Sequence, residues 1–520
     1  MLDPVLNKPR ALLGALRRSE RSVFWTSFVL SLAISACWVF ATPIFGAPDE
    51  PAHSMRAASV ARLEILGHKG EESREELVVD APRNYTANGG AVACFAFSQS
   101  IPASCARISD DPELVPTYTP SGRHTPSYYL VAGLPTLLLR DSSSIYLMRL
   151  VSALITALFV AASVASLRRL RGARVASLGF VLALTPLVWF VSGSVNPSAA
   201  EIAGGFALWA CGGVLALRAS EEVDPVLVRR VAIAAIVLCL SRQLGPLWLV
   251  GIALVLGLVA GWSGVRRIFA TTTARIWSVG VAAAALSTVL WDLIVKPVNP
   301  RASEQIDINV FGAGRASLAQ SFTRFKQFVG WFGWLDTPPT PLMVWLFSIA
   351  LVALVVVAFL YGNRRLWWLA LLVAAATVAI PVAFEAYAAH DLNYFWQSRY
   401  TLPIATGVPI LLGLSLAART RVEATQRRVG ATVVSVAVMS VAVQVLGFGQ
   451  ALRRNTVGYE GPLDFFLHPI WQPPVRPWLL LGAAIVAVVA FTYWLVGAGP
   501  TRSTPTRDAP DASDPALTAT

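Results

Sequence analysis

The sequence predicts an all-α polytopic membrane protein. Its 520 residues are 55% hydrophobic and only 14% charged, and the mean hydropathy of +0.59 lies outside the range of soluble globular chains. Apolar segments of about 20 residues, the length of a membrane-spanning helix, recur along the chain. Lys and Arg fall in short clusters between those segments, so the net charge of +12 indicates charge bias across a membrane and not nucleic-acid binding.

Twelve apolar segments meet or nearly meet the length of a crossing. The predicted crossings are residues 23–43, 145–167, 176–194, 199–217, 228–244, 246–262, 276–294, 341–361, 366–384, 401–418, 429–449 and 477–497. The first is a retained helix, because it is too long for a signal-peptide core and lacks a small-residue cleavage site. A thirteenth stretch, 128–139, is short and contains Pro135. It could span the membrane or lie along the interface.

Charge bias selects one topology. The basic clusters are Arg168, Arg169, Arg171 and Arg174; Arg229 and Arg230; Arg266 and Arg267; Arg364 and Arg365; and Arg419, Arg421, Arg427 and Arg428. All five face the cytoplasm if the N-terminus is inside and residues 128–139 do not cross. Both termini are then cytoplasmic in a bacterial plasma membrane.

This topology divides the chain into a cytoplasmic N-terminus, residues 1–22, a transmembrane domain, 23–497, and a tail, 498–520. The tail is rich in Pro, Ser, Thr and Ala and is predicted to be disordered. The outer loops are 44–144, 295–340, 385–400 and 450–476. Cys94 and Cys105 lie in the first of them, where a disulfide and two free thiols are both open possibilities.

An acidic run opens the first predicted outer loop, directly after the first helix. It reads Ala-Pro-Asp-Glu-Pro-Ala-His over residues 47–53. Asp49, Glu50 and His53 could supply a general base or bind a divalent cation. They could equally mark a helix start, because carboxylates suit a helix N-terminus. From spacing alone, the helix start is the favoured interpretation.

Five motifs occur in order along the chain. They are the acidic run with Arg56, His-Thr-Pro-Ser-Tyr-Tyr at 124–129, Gly-Ser-Val-Asn-Pro at 193–197, Phe-Gly-Trp-Leu-Asp-Thr-Pro at 332–338 and Gln-Ser-Arg-Tyr-Thr-Leu-Pro at 397–403. This order resembles a family of bacterial multi-pass membrane proteins of unknown function, which is similar to the GT-C glycosyltransferases. The resemblance implies a GT-C-like fold of about twelve transmembrane helices plus a juxtamembrane helix in the first outer loop, formed by 128–139.

The resemblance also implies an activity and a set of site residues. GT-C enzymes transfer a sugar from a polyprenyl-phosphate donor on the extracytoplasmic side. By position, Asp49 matches the catalytic carboxylate and Glu50 its neighbour, and Tyr128 and Tyr129 match the juxtamembrane aromatics. The remaining substrate-binding candidates are His53, Asn196, Arg242, Asp336 and Arg399. Membrane lipids and an envelope glycan or lipid acceptor are the other expected partners.

Several of these residues have a second interpretation. Arg242 and Arg399 suit a lipid phosphate, but an arginine near a helix end can also extend to the lipid headgroups. Asn196 could contact a sugar or cap the helix that starts at Pro197. It stands where GT-C enzymes often have an acidic residue, which puts the divalent cation in doubt. Asp336 lies among aromatics that suit sugar stacking or interface anchoring.

Three functions fit these observations. A membrane glycosyltransferase is the leading one. A transporter or flippase for lipid-linked saccharides would need ionisable residues deep in several helices, and the predicted helix centres are almost free of charge. A non-catalytic scaffold for envelope assembly is the third. The sequence contains no P-loop, which argues against an ATP-driven pump.

Overall fold

The computed structural model describes residues 19–69, 77–295, 307–419 and 429–497. Helices dominate these ranges, which confirms the predicted all-α polytopic class. Residues 1–18, the tail 498–520 and three members of the last basic cluster, Arg421, Arg427 and Arg428, lie outside the described residues.

The helices build one bundle and one attached layer. In chain order they are α1 (Glu20–Ala41), α2 (Glu50–Ala61), α3 (Arg83–Ala91), α4 (Pro126–Ala132), α5 (Ser143–Leu167), α6 (Ala173–Ala183), α7 (Pro186–Ser192), α8 (Pro197–Leu217), α9 (Pro225–Ser241), α10 (Gly245–Ala270), α11 (Thr272–Val295), α12 (Val310–Ala319), α13 (Ser321–Gly330), α14 (Pro341–Tyr361), α15 (Arg364–Leu392), α16 (Ser398–Ala405), α17 (Gly407–Ala417), α18 (Gly430–Val457) and α19 (Pro477–Val496).

Each of the twelve predicted crossings coincides with helix. Within the described residues, ten helical stretches are long and apolar enough to cross a membrane, with α16 and α17 counted together. The pair α6 and α7, bent by 67°, adds an eleventh if it is one span. Helix α9 has 17 residues, the short end of membrane-spanning lengths. The thirteenth stretch forms α4 and a short 3-10 helix, Leu134–Leu137, neither of which can cross.

The described part of the first long loop, residues 42–69 and 77–142, folds into a compact layer on one end of the bundle, which we call the loop side. Its core is a buried cluster that includes Phe45, Tyr85, Phe95 and Tyr129. A three-stranded antiparallel sheet, which the sequence did not predict, crosses this layer. Its strands are β1 (His68–Lys69), β2 (Leu77–Pro82) and β3 (Leu114–Thr119), in that order. Cys94 and Cys105 form a disulfide here, so the disulfide alternative is confirmed.

The described basic clusters all lie at the opposite end of the bundle. Arg168 to Arg174 connect α5 to α6, and the other clusters begin α9, end α10, begin α15 and follow α17. Glu20 at the start of α1 makes ion pairs with Arg169 and Arg230, which holds three helix ends together. The five clusters, as far as the structure describes them, therefore lie away from the loop side, which agrees with the charge bias used to predict the topology.

Two loop-side helices extend further than predicted. Helix α15 continues to Leu392 and α18 continues to Val457, so the loops predicted at 385–400 and 450–476 begin later. Charged residues in these last turns are paired inside the protein: Arg324 of α13 binds Glu385, and Arg454 binds Asp336. Glu385 and Arg454 therefore do not mark helix ends. Each lies inside its helix and makes a buried ion pair with a neighbouring segment.

Candidate functional site

Asp49 lies at the start of α2 in an unusual conformation. Its backbone is left-handed, with φ 62° and ψ 0°, and its side chain makes no capping hydrogen bond. A left-handed conformation is unfavourable for a non-glycine residue and persists only where the surroundings impose it. The carboxylate instead makes an ion pair with Arg399. The helix start predicted as the alternative is present, but it does not use this carboxylate.

Arg399 is held from several directions. It lies in the first turn of α16, its side chain is only 6% exposed, and the Asp49 side chain beside it is 48% exposed. It also donates to the Tyr400 hydroxyl at 3.2 Å. A guanidinium buried to this degree is fixed in place, so the more mobile and accessible partner of the pair is the carboxylate.

The loop that delivers Arg399 is tied to α13 and α15. Glu385 accepts from the backbone N–H of Trp396 at 2.9 Å while it pairs with Arg324. Ser398 donates from its hydroxyl to the carbonyl oxygen of Arg324 at 2.6 Å, and its N–H donates to the side chain of Gln327 at 3.0 Å. These contacts, which the sequence did not reveal, fix the position of Arg399.

Arg242 is the second cation of the site. It follows the last residue of α9 in an extended conformation and donates to the Ser198 hydroxyl at 2.6 Å. Its guanidinium carbon lies 4.7 Å from the centroid of the Tyr400 ring, and that of Arg399 lies 5.1 Å from the same centroid. Such cation–π contacts hold both groups side by side. Among the described residues, no carboxylate lies within ion-pair distance of Arg242.

Two histidines complete the cluster. Nδ1 of His53 lies 2.8 Å from the Tyr129 hydroxyl and 3.1 Å from that of Ser121. The ring of His124 is 5.9 Å from that of His53, and the side-chain amide of Gln243 donates to its Nδ1 at 3.1 Å. His53 and Tyr129 were predicted to belong to the site, and the structure brings them together.

Electrostatics fix the charge of these groups near neutral pH. Burial opposes ionisation of Asp49, but the charge of Arg399, its hydrogen bond to the carboxylate and the charge of Arg242 outweigh burial and lower the pKa to about 2. Burial and the charges of the two arginines hold the pKa of His53 well below its ordinary value, against the opposing charge of Asp49. Burial and the charges of Arg242 and Arg56 lower the pKa of His124 to about 4. Asp49 is therefore ionised and both histidines are neutral.

Glu50 differs from Asp49 in its burial and in its hydrogen bonds. Its side chain is fully buried, and its two oxygens accept from Nε and Nη2 of Arg149 at 2.7 and 2.6 Å. One oxygen also accepts from the N–H of Val195 at 2.9 Å. Both oxygens of Glu50 are hydrogen-bonded and buried, so they are inaccessible to a substrate. Of the two carboxylates predicted as candidate bases, Asp49 is the accessible one.

Three predicted substrate contacts have internal partners. Asp336 is buried against Arg454 at 2.6 Å, which also donates to the carbonyl oxygen of Phe95 at 2.7 Å. Asn196 accepts from the N–H of Ser198 at 2.9 Å and so caps α8. The Tyr128 hydroxyl bonds to that of Ser152 at 2.7 Å. Arg454 joins α18 to the loop layer through Phe95 and Ser98, and Asp336 is the buried counter-charge of that arginine.

A buried carboxylate lies next to the cluster. Glu201 of α8 is 1% exposed, and neither of its oxygens makes a hydrogen bond to the described part of the chain. The charges of Arg242 and Arg399 act on it.

The donors around Asp49 do not fit a divalent cation, because its nearest charged neighbours are arginines. The described residues contain no group of three or more His, Cys, Asp and Glu side chains that could hold a metal.

The fold and the site define a class of protein: a polytopic helical membrane protein with an ionised, accessible carboxylate and two arginines under a folded loop layer. The chain belongs to the family of predicted membrane proteins DUF2142, whose model matches residues 32–408. The predicted membership in a multi-pass membrane family of unknown function is thereby confirmed. Comparisons with curated proteins and with solved structures find no match.

Proposed function

We propose that this protein is a GT-C-type membrane glycosyltransferase that moves a sugar from a polyprenyl-phosphate donor to an envelope glycan or lipid. The observation that carries the proposal is the pairing of Asp49 with Arg399, beside Arg242, which makes its hydrogen bond to Ser198 and no ion pair with a described carboxylate. The site thus contains a base for an acceptor hydroxyl and two cations for a phosphate.

The proposal places the loop side outside a bacterial plasma membrane. The described basic clusters lie at the other end of the bundle, and positive residues are retained in the cytoplasm. A lipid-linked donor displayed in the outer leaflet would then present its phosphate and sugar at the level of Asp49.

The reaction is a single displacement. The acceptor oxygen forms a bond to the anomeric carbon of the sugar, and the bond from that carbon to the phosphate oxygen breaks. The electron pair of that bond leaves with the polyprenyl phosphate, whose charge Arg242 and Arg399 stabilise. The acceptor proton passes to the Asp49 carboxylate.

Donor binding itself can activate the base. In the free protein the Arg399 charge keeps the pKa of Asp49 at about 2, which makes the carboxylate a weak proton acceptor. A donor phosphate competes for the same guanidinium, so it weakens the Asp49 pair and raises the pKa of the carboxyl. Proton transfer from an acceptor hydroxyl to Asp49 is then favoured once the donor is bound.

The proposal is tested by the envelope glycans of a strain that lacks the gene and is complemented with variants. Asp49→Asn removes the base and is expected to reduce transfer by about 10²-fold to 10⁴-fold, so one sugar is missing from the glycan profile by mass spectrometry. Asp80→Asn, an exposed carboxylate on β2, is the matched control and should restore the profile. An unaltered glycan in the Asp49→Asn strain would refute the enzymatic reading.

The orientation has a separate test. Arg171 is exposed at the end of the bundle opposite the loop side, so an Arg171→Cys variant should resist a membrane-impermeant thiol reagent in intact cells and react after permeabilisation. Labelling of intact cells would place the basic clusters outside and reverse the proposed topology.

A further inference from the structure

Two apolar cavities flank the candidate site. The larger one, about 520 Å³, lies between α5 and α9 under α4. The smaller one, about 280 Å³, lies among α13, α14, α15 and the α16–α17 span. Both open between helices that cross the membrane, so both are accessible to hydrocarbon chains from the bilayer.

The larger cavity ends beside Arg242. Its wall follows α9 from Arg230 to Ser241, which is about 16 Å along a helix, and Ser241 immediately precedes Arg242. Leu158 and Ile233 on its rim are each 44% exposed, and lipid is the solvent for such side chains. This groove has the length and polarity for an extended hydrocarbon chain.

The smaller cavity ends beside Arg399. Its wall follows α16 and α17 from Ser398 to Pro409, again about 16 Å, and Ser398 immediately precedes Arg399. Phe325 and Phe328 of α13 and Phe347 of α14 are the aromatic residues of its lining. Arg324, which is paired with Glu385, and Ser321 are the polar residues that α13 contributes to this wall.

The two cavities converge on one point. Each stops at the residue before a site arginine, and both arginines lie over the Tyr400 ring. We infer that the site takes two lipid substrates with anionic heads, one chain in each cavity, so that the acceptor is lipid-linked as well as the donor. This inference rests on the proposed glycosyl transfer and narrows its acceptor from a glycan or lipid to a lipid.

Charge and shape both support this reading. A water-soluble acceptor needs no apolar groove, whereas two chains in two separate cavities bring two phosphate heads to two adjacent guanidinium groups. The acceptor lipid supplies the hydroxyl that attacks the anomeric carbon, and its proton goes to Asp49 as above. The donor lipid leaves as its phosphate through the cavity by which it entered.

Photo-crosslinking of full-length protein in phosphatidylcholine nanodiscs tests the inference. The probe is dodecyl phosphate with a diazirine at the end of its chain. Irradiation followed by peptide mass spectrometry should show labels on peptides of both cavities. Ala162→Phe fills the larger cavity and Ala374→Phe the smaller one, and each should reduce labelling of its own cavity by about tenfold and leave the other unchanged.

Matched controls carry the same new side chain outside the cavities. Leu154→Phe lies on α5 and Ala375→Phe on α15 at exposed positions, and both should label like wild type. If the wild-type protein is labelled in only one cavity or in neither, the two-lipid inference is overturned. An equal loss of labelling in a cavity variant and in its control would overturn it as well. Displacement of the probe by an unlabelled lipid supports the inference and identifies the occupant. Displacement by farnesyl phosphate indicates an isoprenoid, and displacement by phosphatidylglycerol indicates a glycerophospholipid.

Binding is read without turnover, so the two proposals can fail separately. Two labelled cavities together with a full glycan profile for Asp49→Asn would refute the glycosyltransferase and leave a protein with two lipid sites. A lost glycan together with one labelled cavity would keep the enzyme and refute the lipid acceptor.

Discussion

Two adjacent carboxylates, Asp49 and Glu50, form ion pairs with opposite properties. The pair of Glu50 with Arg149 is completely buried, and Arg149 also donates to the carbonyl oxygens of Thr42 and Pro43 at 2.7 and 2.6 Å. The pair of Asp49 with Arg399 leaves the carboxylate half exposed. The first joins three segments of the chain, and the second presents charge to a ligand.

The two pairs show how one helix turn can bury one carboxylate for structural support and expose the neighbouring carboxylate to a ligand. Glu50 anchors the start of α2 to α5, and the left-handed residue Asp49 directly precedes this anchor. Strain of this kind is sustained only by a rigid surrounding. We therefore attribute the orientation of Asp49 to the buried pair beneath it.

The largest expected effect is on folding. Glu50→Gln leaves Arg149 as a buried charge without its partner, which should destabilise the protein by about 3–5 kcal/mol. Thermal unfolding of the purified protein in detergent measures this loss. The double variant Glu50→Leu with Arg149→Met removes both charges and should recover much of the stability, and failure to recover would show that the hydrogen bonds, and not the charges, dominate.

An intermediate effect is expected in the pH dependence of stability. The pKa of His124 is about 4 in the folded protein and about 6.5 when unfolded, so the unfolded chain binds more protons in this window. Stability should therefore rise from pH 4 to pH 6.5 and level off above it. His124→Gln should flatten that slope in melting curves taken across the window. An unchanged slope would mean that His124 is charged in the folded protein.

The smallest effect is expected at Asp49. Asn tolerates a left-handed backbone, and the half-exposed pair contributes less than about 1 kcal/mol after solvent screening. Because the pKa of Asp49 is lowered, this contribution is present above pH 4 and is lost as pH falls toward about 2. Asp49→Asn should thus match wild type in melting temperature from pH 5 to 8. A large loss of stability would make Asp49 a structural residue like Glu50.

Much of the fold could be predicted because membrane helices are set by length and apolarity. All twelve predicted segments are helical, and the short stretch with Pro135 does not cross. The ends of α15 and α18 could not be predicted, since Glu385 and Arg454 signal a loop until their buried partners are known. The three-stranded sheet was missed because its strands pair across distant positions.

The site was partly predictable. The motifs identified Asp49, His53 and Arg399, the position of Arg242 at a predicted helix end identified that arginine, and the structure brings all four together. Arg149 was missed, although an arginine inside a predicted crossing is costly without a partner and could have been matched to the nearby carboxylate Glu50. No local pattern distinguishes the two carboxylates, because their partners lie far along the chain: Arg149 is 99 residues after Glu50, and Arg399 is 350 residues after Asp49.

The most direct test of the account measures the envelope glycan per mole of folded protein in Asp49→Asn and Glu50→Gln strains side by side. The account predicts that Asp49→Asn gives a normal amount of inserted protein and no transferred sugar. It predicts that Glu50→Gln gives less protein, with sugar in proportion to what remains. Full glycan in the Asp49→Asn strain, or normal protein without sugar in the Glu50→Gln strain, would contradict the assignment of the base.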